Sequence, residues 1–212
     1  MVQEVEIEFK NLLTADEFNR LASYLAFPDE AVKQTNYYFE TADYLLKTYG
    51  SALRIREKNG TYTLTLKEPH PDGLLETHDP LTKQEKERWL SGQHSKAPNV
   101  TRQLQKKGIA LSDLYYIGQL VTKRRQQTYK QTIVVLDESM YNGRKDYELE
   151  VEATDYKTGL TVFRNLLDTL AIPQRETPNK IKRFFTSRAG KNEQQPDQLP
   201  RLRTLLKYDV NT

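Results

Sequence analysis

The residues after Met1 alternate in character. Val5, Ile7 and Phe9 fall on one side of an extended chain, and Glu4, Glu6, Glu8 and Lys10 on the other. The pattern returns far along the chain in Glu148-Leu149-Glu150-Val151-Glu152. A strict period of two fits a strand and excludes an amphipathic helix. Carboxylates at successive same-side positions stand about 7 Å apart. Taken alone, either run fits the wet face of an open sheet.

Other strands repeat the device with cations. Arg54 and Arg56 share a face in Ala52–Lys58. Thr63, Thr65 and Lys67 share one in residues 61–68, with Tyr62, Leu64 and Leu66 opposite. These two runs are joined by Asn59-Gly60, a strong hairpin signal. Residues 113–130 hold a strand through Leu120, Thr122 and Arg124. Residues 131–137 follow, and Asn142-Gly143 turns the chain into residues 146–153. Further strands are expected over 33–41 and, after a turn at 69–73, over 74–78 with Glu76.

Long antiparallel strands that all place charge on one face have two solutions. They can stack as two layers with a wet outside, or close into a barrel with a polar interior. The second needs helices to cover the apolar exterior. One is expected over 14–26, with Thr14 as N-cap, Glu17 completing a capping box, and Pro28 ending it. Another spans 157–171, with Leu160, Phe163, Leu166, Leu167 and Leu170 at helical spacing. Short helices are expected at 82–91 and 99–107. Residues 180–186 fit either a strand or a helix. The segment 79–112 carries no evident chemistry and is expected to cap one end of the tunnel. One domain, 1–188, precedes a polar, basic tail, 189–212, with a short helix around Leu202, Leu205 and Leu206.

Composition removes several classes. The 212 residues contain no cysteine, which excludes a disulfide scaffold and a thiolate zinc site. No apolar run approaches the roughly 20 residues that span a bilayer, and the N-terminus lacks the features of a signal peptide. A cytoplasmic protein without membrane contact is the expectation. The 32 Lys+Arg and 29 Asp+Glu nearly balance, so the arrangement of charge matters more than its sum.

Carboxylates at close range repel unless hard cations sit between them, and guanidinium and ammonium groups suit phosphate oxygens. Both sets in one lumen point to a phosphate ligand held with divalent metal. The same charges could instead pair with one another as salt bridges. Interleaved carboxylates would repel a phosphodiester backbone, so a nucleic-acid partner is not expected.

The ordered series Glu6-x-Glu8-x-Lys10, Leu53-Arg54-Ile55-Arg56, Leu66-Lys67, Glu76, Thr122-Lys123-Arg124, Asp137, Glu148-x-Glu150-x-Glu152 and Lys180-Ile181-x-Arg183-Phe184 resembles the CYTH domain family, the triphosphate tunnel metalloenzymes. The resemblance runs from about residue 2 to residue 187 and is strongest to small stand-alone bacterial members of the YjbK type. It implies an α+β fold, a closed eight-stranded antiparallel β-barrel forming a tunnel with a polar, charged lumen and flanking helices. It implies that Glu6, Glu8, Glu150, Glu152 and Asp137 hold Mg2+ or Mn2+. Lys10, Arg54, Arg56, Lys67, Arg124 and Lys180 would line the phosphate path, with Lys182 in reserve if 180–186 is a strand. Lys10, Glu76 and Arg124 would carry the catalytic roles. Glu4 and Glu148 would extend the acidic runs outward.

The expected activity is metal-dependent hydrolysis of a triphosphate, either inorganic tripolyphosphate or a small organic triphosphate, by water attack on a terminal phosphorus. The alternatives are a class IV adenylate cyclase and a non-catalytic sensor of polyphosphate or triphosphate. His70, His78 and His94 lie in or beside turn-rich segments and are expected at the surface.

Overall fold

The computed structural model describes the backbone of residues 2–71, 73–94 and 97–192, and the side chains of those between 7 and 187. The side chains of Glu4 and Glu6 and the proposed tail helix at 202–206 lie outside the described residues. Eight antiparallel strands are present: β1 (Val2–Leu13), β2 (Val32–Thr41), β3 (Ala52–Lys58), β4 (Thr61–His70), β5 (Gly73–Leu81), β6 (Leu114–Tyr129), β7 (Thr132–Tyr141) and β8 (Arg144–Ala153). Their order is that of a closed barrel, β1-β5-β4-β3-β2-β6-β7-β8. β1 joins the two ends by dividing its length. Val2–Glu6 pair with β5, and Ile7–Leu13 pair with β8.

Three two-residue turns drive the meander. Asn59-Gly60 and Asn142-Gly143 have positive φ at both residues, as the twist of a hairpin requires. Lys130 and Gln131 adopt the same conformation without glycine, at φ 45° and 62°. That left-handed backbone costs side-chain-bearing residues on the order of 1 kcal/mol each.

Helices cover two sides of the barrel. α1 (Ala15–Tyr24) opens with the expected capping box: Thr14 Oγ1 accepts from Glu17 N–H, and Glu17 accepts from Thr14 N–H at 2.8 Å. It stops before Pro28, because Ala26 turns to φ 51°. α1 and α5 (Tyr156–Thr169) pack Phe18, Leu21, Phe163, Leu166 and Leu167 against Val134, Leu136, Leu149 and Val151 of β7 and β8. After a one-turn helix, α2 (Leu45–Thr48), the second cover comes from α3 (Lys83–Leu90) and α4 (Pro98–Lys106). Trp89, Val100 and Leu104 bury Leu53, Ile55, Leu64 and Leu66 on the outside of β3 and β4. The segment 79–112 therefore covers a side of the barrel and does not cap an end. Truncating a core aromatic such as Trp89 costs about 3–5 kcal/mol.

The end is crossed by α6 (Lys180–Asn192). This helix resolves the ambiguity of 180–186 and runs past the expected domain end at residue 188. Phe184 is fully buried against Tyr38, Leu120 and Tyr141. Its ring fits because β6 has a glycine at φ 135° there: a Cβ on Gly118 would stand 2.7 Å from Phe184 Cζ. The β2–β6 register shifts at the same level, between Tyr38 and Phe39. Among the described residues no helix is long and apolar enough to cross a membrane.

Candidate active site

Alternation directs one face of each strand inward. On β3 that face carries Arg54, Arg56 and Lys58. The register continues it through Thr63, Thr65 and Lys67 of β4 to Glu76 and His78 of β5. Across the interior, Arg124 of β6 stands opposite Asp137 of β7, and Asp137 opposite Glu148 of β8. Glu150 and Glu152 stand opposite Lys10 and Glu8 of β1. The interior holds a cavity of about 320 Å3. Lys10, Arg54, Arg56, Lys67, Glu76, Arg124, Lys180, Glu8, Glu150 and Glu152 all line it.

The wall formed by β6, β7 and β8 is acidic and internally paired. Arg124 donates from Nε and Nη2 to the two oxygens of Asp137, at 2.8 and 2.7 Å, and from Nη2 to Glu150 at 2.5 Å. Its Nη1 reaches Glu152 at 3.5 Å. Lys180 Nζ, arriving from α6, lies 2.9 Å from Asp137 and 3.0 Å from Glu148, and bonds Glu150 as well. Asp137 is fully buried behind these cations. Burial disfavours the charges of Arg124 and Lys180, but the surrounding carboxylates hold both well above their ordinary pKa values. Burial likewise works against the Glu150 charge, yet Lys180 and Arg124 keep its carboxyl well below the usual range.

The wall formed by β3 is cationic and short of partners. Arg56 donates from Nε to Asn36 Oδ1 at 3.1 Å, and among the described residues no carboxylate pairs with it. Burial, then the charges of Arg54 and Arg124, pull its pKa down to about 10. Arg54 Nη2 lies 4.0 Å from the carboxylate oxygen Glu76 Oε1. Arg54 Nε is buried with no hydrogen-bond partner. Lys67 and Glu76 form an ion pair, and His78 Nε2 lies 3.4 Å from Glu76 Oε2.

The donor chemistry fits a hard divalent cation at the opposite wall. Glu8, Glu150 and Glu152 offer oxygen ligands only. Glu152 is raised first by burial and further by the charges of Glu150 and Glu8, against the pull of Arg124. These carboxylates thus stand close enough to repel, as ligands to a shared cation do. Among the described residues no three acidic or imidazole groups are gathered at metal-ligand geometry; Arg124 pairs with Glu150 and Glu152, Lys180 with Glu150, and Lys10 with Glu8.

Several placements differ from expectation. Lys182 is exposed on α6 and faces away from the cavity. A helix puts residues two apart on different faces, and Arg183 takes the inward position: it binds Asp146 at 3.0 Å and also Glu148. Glu148 is 1% exposed, at the α6 end of the cavity and not at an outer rim. His78 lines the cavity, with Nδ1 3.0 Å from Thr65 Oγ1. His94 packs edge-on to Trp89 with ring centroids 4.5 Å apart, and burial lowers its pKa. All three histidines, His70 included, are half-buried and not fully exposed as expected. Lys58, two residues beyond Arg56 on the same strand face, also lines the cavity; the period of two was enough to find it.

Known proteins share this sequence and fold. The CYTH domain family matches residues 4–185 of this chain. YjbK of Bacillus subtilis (strain 168), a candidate triphosphatase, is 45% identical over 186 residues, covering 87% of this chain and 96% of its own. The crystal structure of a candidate adenylate cyclase from Bacillus halodurans is 45% identical, with a TM-score of 0.84, over 87% of this chain and 100% of that one. A candidate adenylyl cyclase from Hippeastrum, whose dominant activity is that of a triphosphatase, is 25% identical, with a TM-score of 0.72, over 92% of this chain and 98% of that one. A family match over residues 4–185 and a relative 45% identical over 87% of this chain, on a fold of eight antiparallel strands, lead to one assignment: the chain belongs to the CYTH domain family.

Proposed function

We propose that this protein hydrolyses a small linear triphosphate, inorganic tripolyphosphate or a small organic triphosphate, with a divalent cation, Mg2+ or Mn2+, held by Glu8, Glu150 and Glu152. Glu6 joins this set, and Asp137 acts from behind it through Arg124 and Lys180. The observation that carries this reading is the unmet demand for an anion on β3. Arg54 has a buried Nε without a partner, and Arg56 has no carboxylate within reach among the described residues. A phosphate chain satisfies both, and Glu8, Glu150 and Glu152, which would hold its cation, line the same cavity.

Arg54, Arg56 and Lys67 fix the phosphate oxygens by charge-assisted hydrogen bonds, which are about twice as strong as neutral ones. Arg124 belongs to both sets: its guanidinium spans Asp137, Glu150 and Glu152 and lies close enough to Arg56 to lower its pKa. In this reading it meets the charge that develops on the equatorial oxygens. Lys10 and Glu76 flank the chain from β1 and β5. When bound, the divalent cation neutralises phosphate oxygens and lowers the pKa of attacking water. Water adds to the terminal phosphorus as the bond to the bridging oxygen breaks, releasing orthophosphate and the shortened chain.

The test is to incubate the purified protein with tripolyphosphate, ATP and thiamine triphosphate, each with Mg2+ or Mn2+, and to assay orthophosphate and cyclic AMP. The expected result is phosphate release from tripolyphosphate that is lost in Glu8→Gln. Cyclic AMP as the main product would replace this reading with a cyclase. Tight binding without turnover would replace it with a sensor.

A further inference from the structure

β3 carries a third inward cation. Lys58 follows Arg54 and Arg56 at the same period, so the three stand about 7 Å apart in steps along one strand face. Arg54 pairs in register with Tyr38, which packs against Phe184 of α6. Lys58 is the last residue of β3, beside the Asn59-Gly60 turn. The row therefore runs from the α6 end of the barrel to the hairpin end. Lys58 is half-buried and lines the cavity. Among the described residues no carboxylate pairs with its ammonium group. Its register partner on β2 is Gln34, which in turn faces Thr122 of β6, so its neighbours across the strands are neutral.

We propose that Lys58 is a specificity-determining residue that binds the far end of a linear phosphate chain whose other phosphates lie on Arg54 and Arg56. It stands one step further along the row than the two guanidinium groups, so a two-phosphate anion seated on Arg54 and Arg56 does not reach it. A longer chain does. Lys58 thus sets the preference for three phosphates over two. This rests on the reading of the cavity as a triphosphate site, and it is tested by binding so that it stands apart from turnover.

The experiment is calorimetric titration of the full chain, without added metal, with inorganic tripolyphosphate and separately with pyrophosphate. Wild type, Lys58→Ala and Lys58→Arg are compared. Lys58→Ala should weaken tripolyphosphate binding about tenfold, the scale of one charge-assisted contact at a half-buried site. Pyrophosphate affinity should stay within about twofold of wild type on that account. Lys58→Arg should restore most of the tripolyphosphate affinity. Unchanged tripolyphosphate affinity in Lys58→Ala, equal loss for both anions, or no tripolyphosphate binding by the wild-type protein would each overturn the proposal. Wild-type binding with the chain-length effect but no turnover would instead sink the hydrolase reading and leave the role of Lys58 standing.

Discussion

On β7 and β8 the inward carboxylates have protein partners, whereas on β3 the inward guanidinium groups have almost none. Asp137, Glu148 and Glu150 share Lys180, and Arg124 joins Asp137 to Glu150 and Glu152. Arg56 has an amide and Arg54 a carboxylate oxygen only at 4.0 Å. Burial opposes charge on both walls. The acidic wall is stabilised from within, and the cationic wall awaits an anion from outside. Side chains of one wall should therefore govern stability and those of the other should govern ligand affinity.

Removing a partner from the acidic wall should have the largest effect. Arg124→Ala leaves Asp137 and Glu150 short of a counter-charge in the interior, and breaking a buried ion pair in this way costs about 3–5 kcal/mol. Urea unfolding in chelator should show that loss. A change under 1 kcal/mol would mean that the wall behaves as a solvated surface.

A smaller effect is expected where α6 delivers Lys180 to that wall. Gly118→Ala puts a methyl group against Phe184 and a side chain at φ 135°. Overpacking and the strained backbone together cost about 1–3 kcal/mol. Because Phe184 and Lys180 share one helix, kcat for tripolyphosphate should fall as well. Substituting Leu for Phe184 in that background, which shortens the clashing side chain, should recover part of it. Full activity in Gly118→Ala would show that the seat of Phe184 does not place Lys180.

The smallest effect comes from the carboxylate with the least cationic support. Glu152 has a raised pKa, first from burial and then from Glu150 and Glu8. Its folded-state carboxyl holds a proton more tightly than the unfolded chain does. Its contribution to stability is therefore fully present in acid and is lost as pH rises through the folded pKa. In chelator, Glu152→Gln should unfold at higher urea concentration than wild type at pH 7, and the two should converge below about pH 4. A less stable Glu152→Gln at pH 7 would mean that its contact with Arg124 outweighs the repulsion.

Much of this was legible in the chain because strands report faces directly. The alternation of Glu8 and Lys10, of Arg54 and Arg56, and of Glu150 and Glu152 assigned each to the interior, and Asn59-Gly60 located a hairpin. Depth was not legible. The same period that placed Glu148 inward could not say that α6 covers its end of the cavity. Lys180, Arg183, Phe184 and Ser187 follow the helical spacing i, i+3, i+4, i+7, but the run of aromatic and β-branched residues also fits a strand, and Lys182 was placed by that second reading. His78 reads as the exposed end of a short strand, 74–78, whereas β5 runs on to Leu81 and keeps His78 on the same inward face as Glu76. Likewise the turn at Lys130 and Gln131 has no glycine to announce it.

The division of labour between the walls can be tested on one residue. Arg56→Ala should be titrated with Mn2+ and, separately, with tripolyphosphate, alongside wild type and Glu8→Gln. Tripolyphosphate affinity should fall by about 30-fold or more, the scale of losing one buried charged hydrogen-bonding group, while Mn2+ affinity stays close to that of wild type and Glu8→Gln shows the reverse. Equal loss of both ligands in Arg56→Ala would make Arg56 a structural residue and contradict the account.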